Sequence, residues 1–295
     1  NLLILFHMPI IFKIFFLFHS LTYGIGSQFL TLPFSSKELS IGSHPTLVEH
    51  NPVNPSLYSA YQNRPSISLN QGVWLGEVGL TQVGYNFKNN NFVTHFGFRY
   101  SGINDLEFRD DTPSDRPLSY FSSFGLSLDA GRSFKIGQQR FGLSISYVYY
   151  GIFTYESKGI GLNFGYSLDL KNKIKLGGAI QNLGKMTKLQ TNEILLPQRI
   201  IVGVSNELKV SQIINFIYVS IEKNILVPSA KIYLGNHINW GRVNFYSGIS
   251  SSKKVLETSI GFGVLINRFD IMYAIRYGSQ NVGIPQFISL RFLLK

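Results

Sequence analysis

From about Ser66 to the end of the chain, large apolar and small polar positions alternate with a period of two. That is the pattern of strands whose two faces meet different surroundings. In 160–169 the large residues are Ile160, Leu162, Phe164, Tyr166 and Leu168, and between them stand Gly161, Asn163, Gly165, Ser167 and Asp169. The division recurs in 124–129, in 141–147, and in 92–100, where His95 and Arg99 fall on the polar side. A soluble sandwich also alternates, but it turns its large residues inward and covers its solvent face with Lys and Glu. Here the face opposite the large residues is rich in Gly, Ser and Asn, which suits a barrel with lipid outside and a crowded or polar lumen inside.

About fourteen such runs follow one another, near 66–74, 78–88, 92–101, 119–133, 139–151, 155–170, 173–183, 197–208, 212–223, 229–237, 241–250, 257–267, 268–278 and 285–295. Most have the roughly ten residues that a tilted strand needs to cross a bilayer, and their number is even. Closure would leave no unpaired edge in lipid. With a periplasmic N-terminus, the inner turns at 88–91, 135–138, 171–172, 209–212 and 267–268 are tight, whereas the outer connections at 103–118, 185–196 and 278–284 are longer. Short and long connections alternate as they do in transmembrane barrels. The expectation for 66–295 is therefore an all-β, transmembrane, antiparallel β-barrel of about 14 strands.

The residues before it divide in two. Residues 1–26 read as a signal peptide with upstream residues: Lys13 precedes an apolar run from Ile14 to Phe18, and Gly24 and Gly26 have the spacing that a signal peptidase reads. The run is interrupted by Lys13 and His19 and is shorter than the roughly 20 residues of a spanning helix. Residues 27–65 read as a short plug or turn segment at or inside the periplasmic mouth. Within it Pro52 and Pro55 fix backbone angles and bias Asn51 and Asn54 away from helix, a stiff double turn that delivers Leu57 and Tyr58 beneath the barrel or into its mouth.

Composition agrees with a surface that faces something other than water: aromatic residues reach 14% and charged residues only 15%, against about 25% charged in soluble domains. Aromatics gather toward strand ends, as at Tyr147, Tyr149 and Tyr150 or Tyr273 and Tyr277, where they could form interface girdles. The net charge of +11 comes from scattered single residues rather than a basic run, so nucleic acid is not the expected partner. The chain has no cysteine; His44 and His50 flank no HExxH arrangement, and neither a metal site nor a cofactor is expected. His95 has no matched acid and there is no GxSxG elbow, so no enzyme is expected either. Alternation turns His95, Arg99, Lys175, Arg242, Arg276 and Arg291 inward, with Asp129 and Asp169 as candidate counter-ions, because unpaired buried charge is costly. The acidic residues Asp105, Glu107, Asp110, Asp111 and Asp115 either fold inward toward these bases or stay outside as a contact surface for a partner.

Several segments in order resemble the PorV/PorQ family of type IX secretion outer-membrane proteins, within the wider FadL-like group of fourteen-stranded barrels. They are Phe29-Leu30-Thr31-Leu32, Ser35-Ser36, Leu39-Ser40-Ile41-Gly42, and the turns Asn51-Pro52 and Asn54-Pro55-Ser56-Leu57. GGAIQNLG at 177–184, LPQRIIVGVSNEL at 196–208 and the terminal FISLRFLLK are similar to further family segments. Ser43 and His44 after Gly42, and Val53 after Asn51-Pro52, depart from the family pattern, and the modest outer loops make the likeness closer to PorQ-like members. The resemblance implies an outer-membrane component of protein secretion and surface attachment in a Bacteroidetes-like envelope, holding a surface or secretion-machinery protein through its outer loops. The alternative is a FadL-like transporter of hydrophobic small molecules, and a third reading is a purely structural barrel. Outer-membrane lipid is the surrounding medium in each.

Overall fold

A computed structural model describes residues 26–42, 47, 53–60, 64–109, 115–253, 255–279 and 283–294. Its strands are β1 (Ser66–Val73), β2 (Gly79–Asn89), β3 (Phe92–Phe108), β4 (Ser119–Ile136), β5 (Gln139–Ile152), β6 (Tyr155–Asp169) and β7 (Ile174–Met186). They continue as β8 (Arg199–Val210), β9 (Ile213–Asn224), β10 (Lys231–Trp240), β11 (Val243–Ser251), β12 (Leu256–Ile266), β13 (Phe269–Gly278) and β14 (Gln286–Leu293). Each pairs antiparallel with its sequence neighbours, and β1 pairs β14 from Ser66↔Leu293 to Val73↔Gln286, closing the barrel. Closure satisfies the backbone of every wall strand without water, as lipid requires.

The fourteen alternating runs and the fourteen strands coincide closely. Five connections at one rim are two residues long, and they turn on left-handed residues: Asn90, Gly137, Ser211, Gly241 and Asn267 all have φ between 53° and 62°. Asn and Gly tolerate that conformation best, hence their place in these turns. The opposite rim carries the longer connections, with one exception: β5 and β6 are joined by residues 153 and 154 alone. The β3–β4 hairpin reaches further than alternation suggests, to Phe108. The pleat is broken by a bulge between Ile103 and Leu106, where Asp105 has φ 58°, and pairing then resumes.

Large apolar side chains cover the outside, among them Leu128, Ile145, Ile160, Val202 and Ile260. Aromatic rings meet across strands in two rows, stacked, tilted or edge-to-face. Phe92, Phe134, Phe141 and Tyr166 lie 5.2–5.7 Å apart by ring centroid toward the short-turn rim. Tyr100, Phe124 and Tyr149 lie 5.6–6.2 Å apart toward the other. Phe124 and Phe134 share β4 ten residues apart, about 33 Å along the strand and about 25 Å along the normal at a tilt of about 40°. That is the height of the apolar band of an outer-membrane barrel.

The described N-terminal residues lie inside the lumen and reach from the short-turn rim into the half nearer the long connections. A 3₁₀ turn at Ser27–Thr31 lies in the half nearer the long connections, with Phe29 against Gly125 and the Ser27 hydroxyl donating to the Leu195 carbonyl. Helix α1 (Ser36–Ser40) crosses to β11–β14. A second 3₁₀ turn, Pro55–Ala60, packs on β3–β6, and the chain then enters β1, where the Pro65 carbonyl accepts from Leu294 at the short-turn rim. Phe29, Leu30, Phe34, Leu39, Ile41, Leu57 and Tyr58 are all buried in this way.

Candidate functional site

The small residues on the inner faces are small because the plug backbone lies on them. A Cβ on Gly142 would stand 2.1 Å from the Pro55 carbonyl carbon, and one on Gly248 would stand 2.0 Å from the Gly42 nitrogen. Gly165 likewise leaves room for the Asn54 side chain, whose Oδ1 would be 2.1 Å from a Cβ there. Asn54 Oδ1 accepts from the Ser56 backbone at 3.1 Å and from its hydroxyl at 2.8 Å, an Asx turn that presents Pro55 flat to the wall. Leu57 and Tyr58 then point into the packed lumen. Asn51 and Pro52, the first half of the expected double turn, lie outside the described residues.

Helix α1 is only five residues long and is held by its ends. The Ser35 hydroxyl accepts from Glu38 N–H at 3.1 Å, and Glu38 Oε2 accepts from Phe34 N–H at 3.1 Å, a near capping box. Burial pushes the Glu38 carboxyl above its ordinary range, a rise opposed by the Phe34 hydrogen bond and by the guanidiniums of Arg199, Arg99 and Arg276. Wall serines dock the helix: Ser289 Oγ accepts from Ser36 N–H at 2.8 Å, and Ser259 Oγ accepts from Gly42 N–H at 3.0 Å while donating to the Ser40 carbonyl at 3.0 Å.

Around the plug runs a set of paired charges. Arg99 faces Asp129 at 3.4 Å, Arg199 faces Glu222 at 3.4 Å, and Arg276 faces Glu257 at 3.6 Å, all strongly buried or nearly so. Lys231 joins Glu257 at 2.6 Å, Arg140 holds Asp169 at 2.8 Å, and Arg291 holds Asp270 at 2.9 Å. Two guanidiniums also cover rings: Arg99 lies over Phe34 at 5.5 Å and Arg276 over Trp74 at 5.1 Å. His95 stacks on Tyr58 at 4.4 Å, with Nδ1 2.8 Å from Asn86 Oδ1. Removing either member of a buried pair leaves a charge without compensation, so the network resists any wall movement that separates the partners.

Of the basic residues assigned inward by alternation, His95, Arg99 and Arg276 are buried in the lumen, and Arg291 is partly buried against Asp270. Lys175 is half-buried and opposes Asp169 in the β6–β7 register. Arg242 does not point inward: it sits exposed in the β10–β11 turn after Gly241, where the left-handed backbone ends the pleat and with it the alternation. Among the acidic residues, the described Asp105, Glu107 and Asp115 do not fold inward. Glu107 pairs with Arg109 at 2.8 Å in an exposed hairpin, Asp105 occupies the bulge and Asp115 is exposed. Asp110 and Asp111 lie outside the described residues.

Arg199, Glu222, Glu257 and His237 were not singled out from sequence. Each was in phase with small inward neighbours, Glu222 with Ser220 and Arg199 with Gly203, and that phase was the available signal. Between Leu30, Arg99, Asp129, Ser146, Gln181 and Arg199 remains an enclosed polar cavity of about 10 Å³, room for about one water. Among the described residues no group of three His, Cys, Asp or Glu is placed to hold a metal.

Solved structures share this fold. The P. putida toluene transporter TodX matches 90% of this chain over 99% of its own, at 9% identity and a TM-score of 0.65. The architecture is that of the FadL-like outer-membrane barrels. The Ralstonia pickettii toluene transporter TbuX matches at 10% identity, 90% and 100% coverage and a TM-score of 0.65, and the CymD monoaromatic hydrocarbon channel at 11%, 90% and 98%, and 0.65. At such identities the FadL-like likeness is one of fold. No family model matches the chain, and no curated protein matches it.

Proposed function

We propose that this chain is an outer-membrane conduit for hydrophobic small molecules, closed in the described state by its N-terminal plug. The observation that carries the reading is the plug itself, a separate segment laid on a glycine floor inside a closed fourteen-stranded wall, in the fold of proteins named as toluene transporters and a monoaromatic hydrocarbon channel. The plug is docked largely through reversible contacts, serine hydroxyls and apolar side chains, rather than by continuous strand pairing. Passage on this reading requires the plug to shift where its backbone lies against the wall glycines Gly142 and Gly248, contacts that leave no room for a Cβ.

A second reading, attachment of a secreted protein in a type IX system, is favoured by one observation. The N-terminal segments of the PorV/PorQ resemblance, from Phe29 to Gly42 and at Asn54–Leu57, are those that pack the plug, and Phe29, Leu30, Phe34, Leu39, Ile41 and Leu57 are buried there. On that reading the barrel is a rigid anchor and the exposed hairpin around Glu107 and Arg109 meets the partner. Purification from detergent-solubilised membranes, with lipid extraction and protein identification on the same sample, separates the two. A bound hydrocarbon or fatty acid with no stoichiometric protein supports the conduit; a stoichiometric surface protein with no bound hydrophobe refutes it in favour of the anchor.

A further inference from the structure

The lipid-facing wall carries a feature that neither plug nor loops explain. On β4 to β8, toward the short-turn rim, two cross-strand rows run side by side. One is Arg132, Leu143, Phe164, Ile180 and Ile200; the other is Phe134, Phe141, Tyr166, Gly178 and Val202. Between them lies an apolar groove of about 680 Å³. Its depth comes from Gly178, which interrupts the second row with no side chain. Unlike the glycines that lie under the plug backbone, Gly178 is not crowded: a Cβ there would meet its nearest neighbour, the Ile201 carbonyl oxygen, at 3.6 Å, ordinary contact. Packing of the wall therefore does not require glycine, and its effect is to leave the groove open to the membrane.

Arg132 stands at one end of the same groove. It is exposed on the outer face, and in the half of the wall nearer the short turns it is the one charged residue that alternation turns toward lipid, among the described residues. It lies two residues from Phe134 in the aromatic row, so its side chain can reach the headgroup layer while its stem lies along apolar surface. A guanidinium there forks onto phosphate oxygens, and an apolar channel leads away from it into the band.

We propose that this groove is a specific site for one phospholipid of the periplasm-facing leaflet, its phosphate on Arg132 and an acyl chain laid over Gly178 between Tyr166 and Val202. The site rests on the membrane-barrel fold and is independent of whether the protein conducts or anchors.

The test uses the full chain in detergent, with phosphatidylglycerol added, and reads retained lipid by native mass spectrometry. Wild type is expected to keep one phosphatidylglycerol per barrel. Gly178→Leu, which fills the groove, is expected to lose it, and Arg132→Gln to weaken retention about tenfold, the scale of one charge-assisted contact. Equal retention by wild type and Gly178→Leu overturns the proposal. Should the leucine variant fail to fold, judged by heat-dependent gel migration, wild type is cross-linked with a diazirine-bearing phosphatidylglycerol. Label concentrated on the peptides holding Tyr166 and Val202 supports the site, and label spread evenly around the wall overturns it.

Discussion

If the lumen glycines exist to seat the plug, then adding one methyl group at a crowded glycine should unseat it while leaving the wall intact. Gly142 is the sharpest case. Its new Cβ would lie 2.1 Å from the Pro55 carbonyl carbon and 2.3 Å from the Ser56 nitrogen, both backbone atoms that cannot rotate away. Overpacking of this kind costs about 1–3 kcal/mol, so the docking equilibrium constant of the plug should fall, and its undocked population rise, by a factor of roughly 5 to 150. Gly161 supplies the matched control, since it faces the same lumen but would place its Cβ no closer than 3.5 Å, to Leu196. The absence of cysteine makes the assay clean: Ser56→Cys is a nearly isosteric reporter at a buried plug position. Its labelling by a membrane-impermeant maleimide should accelerate in the Gly142→Ala background by the same factor and stay unchanged with Gly161→Ala. Heat-dependent gel migration verifies that both barrels are closed. Equal protection of Cys at position 56 in all three backgrounds would refute the idea that plug contact is what demands glycine at 142.

Two further outcomes follow from the wall. Glu222→Gln leaves the buried Arg199 guanidinium 3.4 Å from a neutral amide and should cost about 3–5 kcal/mol in urea unfolding from bilayers; the double variant Arg199→Gln, Glu222→Gln should cost less than that single change, and a larger loss in the double would contradict the ion-pair account. Ile145→Arg, in the middle of the lipid-facing side of β5, should destabilise by about 2–4 kcal/mol in the same assay, while Gln139→Arg at the rim should stay within about 1 kcal/mol; equal effects at the two depths would argue against a membrane on that face.

The sequence by itself determined the wall. A period of two is a local property, and lipid leaves the backbone no solution but closed pairing, so the faces of Ile160 to Asp169 and the turns at Asn90 or Asn267 could be read residue by residue. Phase counting also placed His95, Arg99 and Arg276 in the lumen, and it failed at Arg242 because the pleat had already ended at Gly241. What only the tertiary structure decided are the contacts between positions far apart in the chain. Nothing local tells that Gly248 lies under Ile41 and Gly42, that Ser289 receives Ser36, or that Glu222 rather than another carboxylate answers Arg199. Those partners are set by the register of the closed barrel and by the path of the plug through it, and a glycine in an alternating run looks the same whether it faces a backbone, a groove or water.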